Sequence, residues 1–275
     1  MPARYPERIV CLTEETTETL YLLGEERRIA GISGYTVRPP RARREKPRVS
    51  AFLSAKTDRI LELKPDLVLG FSDLQADIAR DLAKAGLNIM IFNQRSIDEI
   101  LSMILTLAAM VGAAEKGAAL VRQLEKNLSS IREAAKAFPR RPRVYFEEWD
   151  QPMISAIRWV SELIEIAGGE DVFAELSRSQ AASGRIVANP NLVIEKQPEV
   201  ILASWCGKKF RPERLVSRPG WQAIPAVRED QLFEIKSADI LQPGPAALTD
   251  GVRRMHDIFR GFLSDGGRTR RPAGA

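Results

Sequence analysis

The sequence predicts an α/β protein of two parallel-sheet lobes bridged by one long α-helix, with a ligand cleft between the lobes. Three observations carry that prediction. Short apolar strand-like segments alternate with amphipathic helical ones in the first and last thirds of the chain, the pattern of a parallel sheet covered on both faces. The middle third is helical throughout. A motif at Leu61 to Leu69 (LELKPDLVL) is echoed at Ile194 to Leu202 (IEKQPEVIL), each a helix end, a proline, an acid and an apolar strand, as two related lobes would show. The division follows: 1–112 as an N-terminal Rossmann-like lobe, 113–138 as a spine helix and 139–275 as a C-terminal lobe.

Each element has its own signal. Ile9 to Leu12 reads as a strand, Thr16 to Leu23 as a helix closed by Gly24, and Ile29 to Ile32 as the next strand. Thr57 to Leu63 is helical up to Lys64-Pro65, and Leu67 to Gly70 is a strand. Asp73 is placed to cap a helix with Leu74, Ile78 and Leu82 on one face, Gly86 ends it, and Ile89 to Phe92 is a strand. Ser96 and Glu99 form a capping box for a helix carrying Ile100, Leu101, Ile104, Leu105 and Ala108. The helix after Gly112 repeats apolar residues at Leu120, Leu124, Leu128, Ile131, Ala135 and Phe138 before Pro139 stops it. At a rise of about 1.5 Å per residue it is on the order of 40 Å long, more than one lobe needs. Beyond it come a strand at Val144 to Glu147, a helix at Val160 to Ala167 closed by Gly168, a helix opened by Asn189-Pro190, strands at Val200 to Ala203 and Leu232 to Ile235, and a final helix from about Ala246 to Phe262.

Composition bounds the function. The 275 residues are 44% hydrophobic and 28% charged, which supports packed cores and excludes a disordered chain. No apolar run reaches the roughly 18 residues of a bilayer-spanning helix, and Met1 to Arg8 is polar up to the first strand. As written, that start predicts a cytoplasmic protein, or a periplasmic one if a signal was trimmed or the start is misassigned. The net charge of +5 is concentrated in Arg38 to Arg48 and in the tail Arg268 to Arg271. The prolines of the first run predict an exposed solvated loop, and its lack of aromatics argues against nucleic-acid binding. Cys11 and Cys206 are read as buried free thiols, with no zinc-type spacing.

Catalytic motifs are absent: no Gly-x-Gly-x-x-Gly, no Walker loop, no Gly-x-Ser-x-Gly. The single histidine, His256, reads as a surface or half-buried structural residue, so no histidine metal cage or Ser-His-Asp triad can be assembled. The aromatics say more. Tyr35, Phe52 and Phe71 follow or end first-lobe strands, and Trp149 and Trp205 follow second-lobe strands, at the carboxyl edges where open α/β sheets bind ligands. Such rings suit a bulky, partly apolar ligand. Trp159 and Trp221 are assigned to the core. Of Glu147 and Glu148, adjacent on a strand, only one can face a ligand, and Glu148 is the candidate. Glu14 and Glu15 at the first strand-to-helix turn are explained by the helix dipole.

Taken together, IVCLTEETTETLYLLG from Ile9, IAGISGYTVRPP from Ile29, Val49 to Phe52, ILELKPDLVLG from Ile60, the spine, Val144 to Gly169 and LQPGP from Leu241 resemble the substrate-binding proteins of ABC importers for cobalamin, haem and ferric siderophores, nearest to the cobalamin-binding branch. The resemblance implies capture of cobalamin or a related corrinoid, or of a ferric siderophore or haem with Tyr35 as the metal-facing residue, without catalysis and without a covalent cofactor. It further implies a monomer that presents its ligand to an ABC permease, with Asp73 and Asp77 as first-lobe docking acids. The matching second-lobe loop, Ser183 to Asn191, holds Arg185 and no acid. A cytoplasmic sensor or enzyme on the same fold is the reading from another class.

Overall fold

A computed structural model describes residues 5–52 and 54–264; the basic tail at Arg268 to Arg271 lies outside the described residues. The chain divides into two compact units, Met1–Glu125 with Gln242–Ala246, and Lys126–Leu241 with Ala247–Ala275.

The first unit contains β1 (Ile9–Cys11), α1 (Glu14–Leu22), β2 (Ile29–Ser33), α2 (Ala42–Glu45), β3 (Arg48–Ser50), α3 (Thr57–Glu62), β4 (Leu67–Phe71), α4 (Ala76–Lys84), β5 (Ile89–Phe92) and α5 (Ile97–Met110). Its five strands run parallel in the order β3-β2-β1-β4-β5. β1 and the middle of β4 are fully buried, which is why their residues are uniformly apolar rather than alternating. The order reverses between β1 and β4, and that switch point is where a sheet of this kind opens a crevice. The capping box forms as expected: Glu99 N–H donates to Ser96 Oγ at 3.2 Å and Ser96 N–H to Glu99 Oε2 at 3.1 Å.

Two local expectations need correction. Ser72, not Asp73, caps the turn into α4, accepting from Leu74 N–H, and Leu74 points to solvent while Ile78 and Leu82 pack in the core. Ser72 itself sits at φ 63°, a strained backbone for a residue with a Cβ. The basic run from Arg38 is also more than a loop: α2 forms within it, Ala42 is buried, and Arg41 lies 4.7 Å from the Tyr21 ring centroid.

The spine is α6 (Ala114–Ala135), and the division between the units falls within it. Gly117 lets α6 press against α5, since a Cβ there would come 2.3 Å from that of Ala108. Among the described residues no helix is long and apolar enough to cross a membrane.

The second unit continues with β6 (Arg143–Asp150), β7 (Met153–Ser155), α7 (Arg158–Ala167), β8 (Glu170–Asp171), α8 (Asn191–Lys196), β9 (Val200–Ala203), α9 (Pro212–Val216), α10 (Pro225–Arg228), β10 (Leu232–Glu234), α11 (Ser237–Ile240), a π-turn at Ala247–Gly251 and α12 (Val252–Ser264). Its strands order as β10-β9-β6-β7, with β8 also on β6. This sheet is mixed: β7 is antiparallel to β6, because the two-residue link Gln151-Pro152 is far too short for a parallel crossover. The core gathers Tyr145, Phe173, Trp205, Phe210 and Trp221. Trp159 is core as expected, its indole donating to Ile240 O at 2.9 Å. His256 is more buried than expected; its ring stacks on Phe138 at 5.0 Å and Nδ1 meets Ala167 O at 3.1 Å. Cys11 is buried, whereas Cys206 is exposed in the turn that follows the buried Trp205.

Candidate ligand-binding edges

At the first sheet's carboxyl edge, β1 delivers Glu14 and Glu15 into α1, where both are buried rather than solvated at a helix end. Glu14 Oε1 accepts from Val37 N–H at 2.9 Å and Arg38 N–H at 3.0 Å, which ties down the loop carrying Tyr35. Glu15 Oε1 accepts from Thr13 Oγ1 at 2.5 Å, while its Oε2 is buried without a partner. Burial pushes each of these carboxyls up to about 7, and neighbouring acids on the same helix add to the shift. One turn on, Glu18 pairs with Arg38 at 2.9 Å and accepts from Ala246 N–H at 3.0 Å.

Neutral amides organise the rest of this edge. Gln75 is wholly buried; its Oε1 accepts from Phe71 N–H at 2.9 Å and its Nε2 donates to Phe52 O at 3.0 Å. One side chain therefore fixes the backbone of two predicted aromatic residues. Gln94 similarly donates to Pro243 O at 2.9 Å. Of the predicted rings, Tyr35 is 58% exposed, Phe52 is half-buried, and Phe71 is buried with the Arg95 guanidinium 4.8 Å from its centroid. Asp73 and Asp77 have side chains 83% and 84% exposed, and Arg95 and Arg80 lie 3.5 and 2.6 Å from them. An open groove of about 580 Å³ runs along α4 and β5 beside Asp73, floored by Ile89 and Ile91.

At the second sheet's edge β6 runs three residues further than the sequence suggests, so Trp149 lies within the strand rather than after it. Glu147 is fully buried yet bound on every side: Arg218 donates from Nη1 to Oε2 at 2.6 Å and from Nη2 to Oε1 at 3.0 Å, Trp205 Nε1 donates to Oε1 at 3.0 Å, and Tyr145 Oη donates to Oε2 at 3.0 Å. Glu148 faces the other way into a bidentate pair with buried Arg185, at 2.5 and 3.2 Å. Asp150 is held by Lys208 and by Arg214 at 2.7 Å. Burial pushes the Asp150 carboxyl up, but Lys208 and Arg214 outweigh it and keep it below the usual aspartate value. Trp149 is half-buried with its indole donating to Gln151 O at 2.7 Å, whereas Trp205 is buried edge-on to Phe210. Trp221 is core, as expected.

Sequence reasoning missed Lys208, Arg214 and Arg218 of this network and did not pair Arg185 with Glu148. The signal was present: Lys208, Lys209, Arg211, Arg214 and Arg218 fall within eleven positions between Trp205 and Trp221.

Comparison with known proteins agrees with this architecture. The vitamin B12-binding protein of Vibrio cholerae is 27% identical over 259 residues, covering 90% of this chain and 87% of the relative. An uncharacterised ABC transporter substrate-binding lipoprotein of Bacillus subtilis is 22% identical over 259 residues, covering 91% and 79%. The apo structure of the periplasmic haem-binding protein RhuT of Roseiflexus sp. RS-1 superposes with a TM-score of 0.77 at 25% identity, covering 92% of this chain and 98% of that one. The family model described as periplasmic binding protein matches residues 9–238, and the chain belongs to that family.

Proposed function

We propose that this protein captures cobalamin or a related corrinoid for ABC-type uptake, binding and releasing its ligand without bond chemistry of its own. The observation that carries the reading is the set of rings at the carboxyl edges of both sheets. Tyr35 and Phe52 on the first unit and Trp149 on the second each keep exposed surface for an apolar ligand, whereas Phe71 and Trp205 are buried. The V. cholerae relative, named for vitamin B12, supports the corrinoid as the first ligand to test. Glu148, fixed by Arg185, presents a carboxylate oriented to accept from ligand amides.

A second reading in the same fold takes haem or a ferric siderophore. It is favoured by Tyr35, whose phenol stands 58% exposed at the end of β2 and offers an oxygen to iron, and by the likeness to a haem-binding protein. In either case the proposed permease partner meets the exposed acids Asp73 and Asp77 on the first unit. From the second unit, Ser183 to Asn191 brings only the buried Arg185. The uptake role places the protein on the outer side of the membrane that the permease crosses.

The test is isothermal titration of the purified protein with cyanocobalamin, haem and a ferric hydroxamate in parallel. One-to-one binding of cyanocobalamin at micromolar affinity or better supports the leading reading. Preference for haem or the hydroxamate selects the second, and no heat from any of the three overturns both.

A further inference from the structure

We propose that the carboxyl edge of the second sheet holds an anion subsite, in which Lys208 and Arg214 receive a carboxylate or phosphate group of the captured ligand; this rests on the capture reading above. The ion pairs deeper in the network balance one to one, Glu147 with Arg218 and Glu148 with Arg185. Asp150 does not balance: Lys208 approaches Oδ1 and Arg214 Oδ2, so two cations share one carboxylate. Neutralising Asp150 needs only one of them.

The surplus charge also faces outward. Asp150 is 2% exposed, whereas the side chains of Lys208 and Arg214 keep 34% and 43% of their surface. Of these three side chains, Lys208 and Arg214 are the ones open to an approaching ligand. The Lys208 ammonium sits 3.9 Å from the Trp149 ring centroid and 5.5 Å from that of Trp205, and the Arg214 guanidinium lies 5.5 Å from Trp205. Indole faces take the place of water around the cations, and a cation with less water competing for it attracts an anion more strongly. A solvated basic loop would show neither the shared buried counter-ion nor the ring platform. The ligand that fits carries a ring-rich body to pack against the exposed part of Trp149 and an anionic substituent to meet Lys208 and Arg214. Two sources supply that chemistry: the carboxylates of a tetrapyrrole, or the phosphodiester of a corrinoid's nucleotide arm.

Matched pairs separate the sources. The protein is titrated with haem against its dimethyl ester, and with cyanocobalamin against dicyanocobinamide, which lacks the phosphate. The same four titrations are run on Lys208→Met, Arg214→Gln and the charge-keeping Lys208→Arg, with circular dichroism melting to verify folding. The expected result is that the parent of at least one pair binds wild type tenfold or more tightly than its anion-free partner. Lys208→Met and Arg214→Gln should shrink that ratio towards one, and Lys208→Arg should restore it. Discrimination within the haem pair identifies a carboxylate; discrimination within the corrinoid pair identifies the phosphate. Equal binding of both members by wild type, or a ratio that survives both neutral variants, overturns the anion subsite while leaving capture standing. No binding of any of the four compounds overturns the subsite, and the ferric hydroxamate titration then decides whether the capture reading falls with it.

Discussion

The carboxyl edges of the two sheets occupy the same place in two similar units and solve the burial of acids in opposite ways. At the end of β1, Glu14 and Glu15 are buried against amides and a hydroxyl, with no cation bonded to either among the described residues. At the end of β6, Glu147 and Asp150 are buried against arginine and lysine. The first arrangement favours the neutral carboxyl, and the cations around Asp150 favour its charged form, so the two edges carry opposite pH signatures. Burial holds Glu14 and Glu15 near 7, above the 4.5 of a free glutamate. Their penalty is absent below about pH 4.5, grows as pH rises through the interval to about 7, and is then constant. Asp150 is held low, so its contribution is present above the usual aspartate range and is lost only as pH falls below it.

Breaking the second arrangement has the largest expected effect. Arg218→Met leaves Glu147 buried without its cation, and we expect a loss of about 3–5 kcal/mol in urea unfolding at pH 7. A loss under 1 kcal/mol would mean that Trp205 and Tyr145 suffice to hold the charge. In the first unit, Glu15→Gln keeps an acceptor for Thr13 and removes the ionisation. It should stabilise the protein at pH 8 by on the order of 3 kcal/mol, with the gain vanishing by about pH 4.5. A gain independent of pH would show that packing, not charge, is responsible. For ligand binding, Trp149→Ala should weaken the affinity at least tenfold, about 1.4 kcal/mol; unchanged affinity removes that ring from the site. The smallest effect is expected on the first unit's surface. Asp77→Ala breaks an exposed pair with Arg80, and thermal unfolding should register no more than about 0.5 kcal/mol.

The contrast also marks what the sequence could disclose. Strand and helix order was readable because β1, β4 and β9 are buried on both faces and so are written in apolar residues, and because Ser96 and Glu99 spell a cap within four positions. The positions of Tyr35, Phe52, Phe71 and Trp205 were readable because each ends or follows a strand, whereas Trp149 lies inside one. What was hidden is pairing at a distance. Glu147 and Arg218 are 71 residues apart, and nothing in either neighbourhood says that they meet. Glu14 and Glu15 misled for a related reason: an acid in a first helical turn is normally accounted for by the dipole alone, and only the packing of the Tyr35 loop and of Gly244 over α1 shows that they are buried. Phe71 and Trp205 are buried, and a one-dimensional reading could not tell a buried ring from an exposed one.

The five residues Gln242–Ala246 carry a consequence for how such a molecule can be divided. The chain passes between its units at Glu125/Lys126, at Leu241/Gln242 and again at Ala246/Ala247, three passages in all. That brief return supplies the carbonyl that engages Gln94 and the amide that engages Glu18. A gene fragment ending in the spine would therefore encode a first unit lacking its own last piece. Recombination between relatives at a single breakpoint would pair one parent's α1 with the other's closing segment. The two halves look like cassettes, yet evolution can exchange them cleanly only if all three junctions travel together.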